Sequence, residues 1–225
     1  MPFSLDQVVP WGRSFQEYLQ MFNLTAVELG SSILGCGDGP AAFNSELSRR
    51  GGQIVSVDPL YRFSRAEIAQ RIQVTSAEVL EQTRQHQQDF VWQAIASPTM
   101  LEEVRMGAMA EFLADFEAGL AEGRYLDASL PELPFENGQF DLALCSHLLF
   151  LYGAQFDGNF HLAAIGEMLR VASEVRIFPV LELGNLPSRH LERVMAVLKD
   201  QRRQVYLETV GYEFQKGGNQ MLVIR

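Results

Sequence analysis

Apolar residues recur at two different spacings along the chain, and these spacings predict its helices and strands. The stretch 14–24, SFQEYLQMFNL, has apolar residues at helical spacing and predicts an N-terminal helix. Residues 32–34 predict a short buried strand, and residues 41–50 predict a helix with Pro40 in its first turn. Residues 53–58, QIVSVD, predict a second strand.

The segment 63–120 differs from its surroundings because it is rich in Ala, Glu, Gln and Leu at helical spacing. Thr75 or Ser76 and, further on, Ser97 are the expected N-caps within it. Pro98 follows Ser97 directly and suits the first position of a helix. The segment therefore predicts a long helical region between two strands.

Strand and helix patterns alternate in the second half of the chain. Strands are predicted at 123–129, 140–146 and 173–180, helices at 161–171 and 188–200, and an antiparallel hairpin at 205–225. This alternation predicts an α/β fold with a mainly parallel sheet that helices cover on both faces. Ligands of such sheets bind beyond the carboxyl ends of the strands.

The composition is that of an ordinary globular protein. The chain has 225 residues, 47% of them hydrophobic and 20% charged, and we expect one domain over 1–225. The net charge of −10 disfavours nucleic acid as a partner. Cys36 and Cys145 lie in apolar runs without CxxC spacing, so we expect free thiols and no metal. Free thiols, no signal-peptide pattern and no apolar run of about 20 residues predict a cytoplasmic protein without a membrane partner.

The stretch SSILGCGDGP ends the first strand with three glycines, which let a ligand approach the backbone closely. Gly35 and Gly37 match the dinucleotide pattern GxGxxG, but Pro40 occupies the place of its third glycine. Asp38 would repel a pyrophosphate, whereas it would attract the ammonium and sulfonium of S-adenosylmethionine. The charge therefore favours that ligand over a dinucleotide. A tight turn without a ligand is the alternative interpretation, although three glycines, Gly39 included, exceed what a turn needs.

Two further carboxylates follow predicted strands. Asp58 could accept hydrogen bonds from both ribose hydroxyls, or it could cap a turn. Asp127 could accept from an adenine amino group, with Leu126 and Ala128 against the flat ring, or it could form an Asx turn. Asp141 is expected to have a structural role at the start of its strand.

ILGCGDGP, VSVD, LDAS…LPF…FDLALCSHLLF and the final hairpin, in this order, resemble class I S-adenosylmethionine-dependent methyltransferases. The resemblance covers most of the chain outside 63–120. It implies a Rossmann-like, doubly wound sheet of seven strands, six parallel and one antiparallel. It also implies that the glycine loop lies against the methionine moiety, Asp58 on the ribose and Asp127 on the adenine. The expected cofactor contacts are Gly35, Cys36, Gly37, Asp38, Gly39, Asp58, Pro59, Leu126, Asp127, Ala128 and Ser146.

The chain departs from the family pattern in two ways. Ile33 occupies the position, two before the first glycine, where the family usually has an acidic residue. We hypothesise that Asp38 takes over part of this charge role. The segment 63–120 is longer than the usual single helix, and we expect an inserted helical cover that encloses a substrate or forms a homodimer contact.

Residues after the strand 140–146 are the candidates for acceptor chemistry. His147 could be a general base or a hydrogen-bonded strand-end residue. Tyr61, Phe150 and Tyr152 could stack on a flat substrate, or they could pack in the core. The sequence CSHL replaces the Asn-Pro-Pro-aromatic motif that methyltransferases acting on amino or amide nitrogens often carry, which favours a small-molecule acceptor. Protein and RNA acceptors remain open.

Three functions are therefore compared. The first is an S-adenosylmethionine-dependent methyltransferase acting on a small molecule. The second is an NAD(P)-dependent oxidoreductase on the same sheet, which Pro40 and Asp38 disfavour. The third is a non-catalytic module that binds the cofactor or a protein partner, which the replacement at Ile33 keeps open.

Overall fold

The computed structural model describes residue 5 and residues 7–225, and seven strands within them form one sheet. The strands are β1 (Ser32–Cys36), β2 (Gln53–Val57), β3 (Tyr125–Leu126), β4 (Phe140–Ser146), β5 (Ala172–Phe178), β6 (Val205–Thr209) and β7 (Gln220–Ile224). Their order across the sheet is β3-β2-β1-β4-β5-β7-β6. β7 pairs antiparallel with β5 and β6, and the pairings among β1 to β5 are parallel. The predicted Rossmann-like, doubly wound sheet with its C-terminal hairpin is therefore confirmed.

Helices cover both faces of this sheet. They are α1 (Phe15–Met21), α2 (Phe43–Arg49), α3 (Arg65–Gln85), α4 (Pro98–Ala121), α5 (Gly158–Val171) and α6 (Leu191–Asp200). Successive side chains of a strand point to opposite faces, so Leu34 of β1 packs in the cluster with α5 and α6. Its neighbour Ile33 packs in the cluster with α1 and α2. Because both faces are covered, the central strands are apolar at consecutive positions.

The segment predicted as an insertion contains two long helices, α3 and α4. Ser64 begins α3 with a capping box in which Glu67 bonds back to the cap, and Ser97 caps α4 as predicted. The predicted caps Thr75 and Ser76 are wrong, because both lie inside α3. The Ser76 hydroxyl donates instead to a carbonyl of its own helix.

The start of α2 also differs from the prediction. Pro40 precedes the helix, which begins at Phe43. Positive φ angles at Gly37 and Gly39 turn the chain after β1, and the Ala42 amide then donates to the Arg13 carbonyl at 2.9 Å. Residues 37–42 therefore lead the chain away from β1 before α2 begins. The assignment of one domain over 1–225 stays a prediction.

A buried ionic cluster joins three distant parts of the chain. Arg105 of α4 is fully buried and donates to both carboxylate oxygens of Glu17 in α1. Tyr212, between β6 and β7, accepts from Arg105 at 3.2 Å and donates to Glu17 at 2.8 Å. Burial alone would raise the pKa of Glu17, but the charge and hydrogen bonds of Arg105 lower it to about 2. Each charge therefore depends on the other for its stability in the interior.

We expect Arg105→Met to lower the free energy of unfolding by about 3–5 kcal/mol, because Glu17 would remain buried without the cation that hydrogen-bonds to it. Urea unfolding followed by circular dichroism measures this loss. Arg84→Met is the matched control, since Arg84 forms a half-exposed ion pair with Glu102. Its loss should cost about 0–1 kcal/mol. Equal losses in the two variants would contradict a structural role for the buried pair.

Candidate functional site

The loop after β1 folds the Asp38 side chain back onto the end of its own strand. A Cβ atom on Gly35 would lie 1.8 Å from Asp38 Oδ2, so Gly35 leaves the space that the carboxylate occupies. Gly37 has a φ of +69°, and a Cβ atom there would lie 2.5 Å from Leu148 Cδ2. The glycines therefore serve a compact loop geometry as well as a close approach to a ligand.

Asp38 is held by two hydroxyl groups. Tyr18 Oη donates to Oδ1 at 2.8 Å, and Ser56 Oγ donates to Oδ2 at 2.6 Å. Burial raises the pKa of Asp38 to about 6, in spite of these two hydrogen bonds, and the charge of Asp58 acts in the same direction. Ile33 is completely buried on one face of the sheet. Asp38 therefore supplies an acidic group at the tip of β1, where Ile33 supplies none.

Asp58 lies at the tip of β2 and connects two loops. Its Oδ2 accepts from the Gly39 amide at 2.9 Å, and its Oδ1 accepts from the Leu60 amide at 2.8 Å. The second bond caps the short 3₁₀ helix Pro59–Arg62, so the capping alternative is realised. Burial raises the pKa of Asp58 above its ordinary range. Each carboxylate oxygen keeps a lone pair that could accept from a ligand.

Two backbone amides of the glycine loop are engaged within the protein. The Gly37 amide donates to the Val57 carbonyl at 2.8 Å, and the Gly39 amide donates to Asp58. A loop that binds phosphate presents such N–H groups to its ligand. This loop presents the carboxylates of Asp38 and Asp58 instead.

A cavity of about 430 Å³, here called the first cavity, opens beyond the tips of β1, β2 and β4. Its volume is within the range of about 300–1,000 Å³ that small-molecule sites occupy. It brings together many of the residues that the sequence singled out: Gly37, Asp38, Gly39, Asp58, Pro59, Ala128, Ser146 and His147. Their convergence at one edge of the sheet follows from the parallel arrangement of the strands.

Four predicted contacts do not line the first cavity. Gly35 and Cys36 are part of β1, and Cys36 is completely buried. Leu126 belongs to the two-residue strand β3 and is half-buried, and Asp127 is exposed beside it. Asp127 is close enough to Asp58 for its charge to raise the pKa of that group. An adenine contact by Asp127 stays a prediction.

Three side chains predicted to face a substrate have other environments. Phe150 is completely buried against His161, with ring centroids 5.1 Å apart. Tyr61 is also buried, and its hydroxyl donates to the Gly39 carbonyl at 2.8 Å. Neither ring lines either of the two cavities of this site, which favours the core-packing alternative, and the substrate contacts of Phe150 and Tyr61 stay predictions. Tyr152 does line a cavity, and its hydroxyl accepts from the Val9 amide at 3.3 Å.

His147 has the conformation of a constrained strand-end residue. Its φ is +51°, and its amide donates to the Phe178 carbonyl at 2.6 Å. Its Nδ1 lies 2.9 Å from Ser146 Oγ. Burial lowers the pKa of His147 well below its ordinary value, and the charges of Arg13 and Arg105 add to this effect. The imidazole is therefore neutral at neutral pH.

A second, smaller cavity of about 80 Å³ lies beyond the tip of β5. It shares four lining residues with the first cavity: Val9, Trp11, Arg13 and His147. Tyr152 lines only the second cavity. The two spaces therefore meet at the end of β4 and at the segment before α1.

Sequence reasoning missed the segment before α1. Trp11 and Arg13 line both cavities, and Tyr18 lines the first. Arg13 donates to the Trp11 carbonyl, and its buried Nε has no partner among the described residues. Burial, followed by the charge of Arg105, lowers the pKa of Arg13 to about 10. The one available signal was a tryptophan and an arginine, separated by Gly12, shortly before an apolar helix.

One sequence relative covers nearly the whole chain. The uncharacterized protein MJ0045 of Methanocaldococcus jannaschii is 30% identical over 223 residues, which are 99% of this chain and 98% of that protein. The chain belongs to the MJ0045 family. No protein-family model matches it.

Solved structures similar to this MJ0045-family chain are remote in sequence. The PH0226 protein of Pyrococcus horikoshii has a TM-score of 0.49 and 10% identity, with 94% of this chain and 90% of that one covered. Magnesium protoporphyrin IX methyltransferase of Synechocystis, solved with bound SAM, has a TM-score of 0.47 and 11% identity, with 93% and 75% covered. Likeness at this level carries no argument about activity. The fold assignment rests on the strand order and directions given above.

The described part of this MJ0045-family chain has neither a metal-ligand cluster nor a membrane-spanning helix. No group of three or more His, Cys, Asp or Glu side chains there could hold a metal ion. Among the helices of the described residues, none has the length and apolar character needed to cross a membrane.

Asp38→Asn should stabilise the ligand-free protein at high pH. The pKa of Asp38 is about 6 in the folded protein, whereas an unfolded aspartate titrates near 4. Its charge therefore lowers the free energy of unfolding above pH 6, and this effect disappears as the pH falls towards 4. We expect the variant to gain about 1–3 kcal/mol at pH 8 and nothing near pH 4, measured by urea unfolding.

Asp141→Asn is the control, because the charge of Asp141 is expected to have the opposite effect on the free energy of unfolding. Hydrogen bonds from the hydroxyl and amide of Ser32 lower the pKa of Asp141, so its charge is stabilising. This variant should gain no stability at pH 8. If Asp38→Asn also gains none there, the buried charge of Asp38 is not destabilising and the interpretation of its environment is wrong.

Proposed function

We propose that this protein is an S-adenosylmethionine-dependent methyltransferase that acts on a small molecule. One observation carries the proposal. Asp38 and Asp58, at adjacent strand tips, present carboxylates to the first cavity, while the Gly37 and Gly39 amides are engaged within the protein. At the strand tips this arrangement favours the positively charged, phosphate-free part of a nucleoside ligand.

The charged groups suggest an orientation for the cofactor. The ammonium of the methionine moiety would lie at Asp38, and its carboxylate would lie at the Arg13 guanidinium, whose Nε lacks a partner among the described residues. Asp58 would accept from the ribose hydroxyls through its remaining lone pairs. The adenine would then lie near Pro59 and Ala128, which line the same cavity.

The alternative of an NAD(P)-dependent oxidoreductase is less well supported. A pyrophosphate needs free N–H donors at the loop, and the Gly39 amide donates to Asp58 instead. Two carboxylates beside the pyrophosphate would also repel it. Arg13, Arg62 and Arg71 also line the cavity and could bind phosphate, so the preference rests on the engaged Gly39 amide and the two carboxylates at the strand tips.

Methyl transfer makes two demands on this chain. The nucleophile, the methyl carbon and the sulfur must lie in line, and water must be excluded. The cofactor supplies the reactivity, and the protein supplies position and environment. His147 has a neutral imidazole at the junction of the two cavities, where it could accept a proton from an acceptor that carries one.

A thermal-shift series with four ligands tests this proposal. S-adenosylmethionine and S-adenosylhomocysteine should each raise the melting temperature, because a ligand at 100 times its Kd stabilises by about 2.7 kcal/mol. NAD and NADP should leave it unchanged. A shift with NAD or NADP alone would favour the oxidoreductase, and no shift with any ligand would favour the non-catalytic module. Methyl transfer from labelled cofactor to a metabolite extract then tests catalysis separately.

A comparison of two product-like ligands tests the orientation. 5′-Methylthioadenosine lacks the amino-acid end of S-adenosylhomocysteine, so Asp38→Asn and Arg13→Gln should weaken only the second ligand. The loss of a hydrogen bond to a charged group is worth about 1.5–3 kcal/mol, which is about 10–100-fold in Kd. Asp58→Asn should weaken both ligands, because both contain the ribose. Titration calorimetry gives the Kd values, and equal losses for the two ligands in Arg13→Gln would refute the carboxylate assignment.

A further inference from the structure

We propose that the second cavity is the acceptor site and that it takes a compact, flat, uncharged molecule. The inference rests on the proposed function, because it assumes that the cofactor occupies the first cavity. The acceptor's nucleophilic atom would lie at His147, where the two cavities meet.

The position of the junction supports this assignment. His147 follows β4 directly, between the tip of β1 with its glycine loop and the tip of β5. Asp38 and Arg13 would hold the amino-acid end of the cofactor at the same end of the first cavity. The methyl group lies between that end and the ribose, so it would face the junction. A molecule in the second cavity would then approach the methyl carbon from the side opposite the ribose and amino-acid groups.

Aromatic and aliphatic side chains form much of the wall of the second cavity, beside polar ones such as Asn185 and Gln215. Trp11, Phe178, Tyr212 and Phe214 line it together with aliphatic side chains. Phe178 and Tyr212 meet edge to face, with ring centroids 5.7 Å apart. Aromatic walls of this kind favour a flat ligand, because offset and edge-to-face contacts add to the burial of area.

The charges at the second cavity favour an uncharged ligand. Arg13 and Asp89 are the charged side chains among its described lining residues, and they are of opposite sign. Once the cofactor carboxylate pairs with Arg13, no cation is left for an anionic acceptor. A cationic acceptor would have Asp89 as its one charged partner among the described lining residues, and it would lose its hydration among the apolar side chains of the wall.

The volume bounds the size of the acceptor. About 80 Å³ is roughly a fifth of the volume of the first cavity. The acceptor is therefore smaller than the cofactor, and a single-ring molecule is the size class that we propose. Val79 and Thr83 of α3 and Leu101 of α4 form part of the wall. The inserted helices therefore determine how large an acceptor can be.

In the proposed methyl transfer, one bond forms, one bond breaks and a proton passes to a residue at the junction of the two cavities. A lone pair of the acceptor's heteroatom forms a bond to the methyl carbon while the bond from carbon to sulfur breaks. The pair of that bond stays on sulfur, which becomes a neutral thioether. The proton of the heteroatom passes to Nε2 of His147, in the tautomer whose Nδ1–H donates to Ser146 Oγ.

Binding of three single-ring probes to the protein loaded with S-adenosylhomocysteine tests the proposal. Phenol is neutral, benzoate is anionic and benzylamine is cationic, and the three have similar size. Saturation-transfer NMR should detect phenol at least 10-fold more strongly bound than the other two. Chemical-shift changes in the wild-type protein should fall on the methyl groups of Leu101 and Leu183, which line the second cavity only.

Leu183→Trp is the variant that fills the second cavity, and Leu186→Trp is its matched control. Leu183 is a half-buried lining residue, whereas Leu186 is 58% exposed on the same loop and outside both cavities. Leu183→Trp should weaken phenol at least 10-fold and change the Kd of S-adenosylhomocysteine less than twofold. Leu186→Trp should change neither.

The outcomes separate the two proposals. If S-adenosylhomocysteine does not bind the wild-type protein, the proposed function fails. If it binds but phenol does not, or phenol competes with it, the acceptor assignment alone is overturned. Tighter binding of benzylamine or benzoate would overturn the charge class. If Leu183→Trp does not fold, the chemical-shift changes in the wild-type protein decide the location of the probe.

Discussion

The hydrogen bond from the Gly39 amide to the Asp58 carboxylate is the contact on which the site depends. It connects the tips of β1 and β2, and it removes a donor that a phosphate ligand would need. Asp38, folded against Gly35, adds a second carboxylate at the same edge. The polarity of the first cavity therefore follows from how the loop satisfies its own backbone.

A second constraint holds the opposite wall of the cavities. Trp11 and Arg13 directly precede α1, and α1 is fastened to α4 by the buried pair of Glu17 and Arg105, which are 88 residues apart in sequence. Neither charge is stable in the interior without the other. The inserted helices are thus tied to the segment that lines both cavities. This tie gives the insertion a role in shaping the site as well as in covering it.

Much of the fold and part of the site could be predicted because they depend on local patterns. Consecutive apolar residues identify buried parallel strands, and glycines after the first strand identify the loop. Asp58 could be found because it directly follows a strand whose end faces the ligand edge. Tyr18 could not be found, because in sequence it is one more apolar position of an amphipathic helix. Its hydroxyl matters only because α1 packs beside Asp38.

Local patterns in the chain were enough to predict the order and type of the main elements, the glycine loop and the acidic tips of β1 and β2. That Phe150 is enclosed in the core and that Arg13 faces both cavities became visible in the folded protein alone. Strand and helix patterns depend on neighbours in sequence. Whether a side chain is enclosed, paired or exposed to a cavity depends on groups that are distant in sequence and meet only after folding.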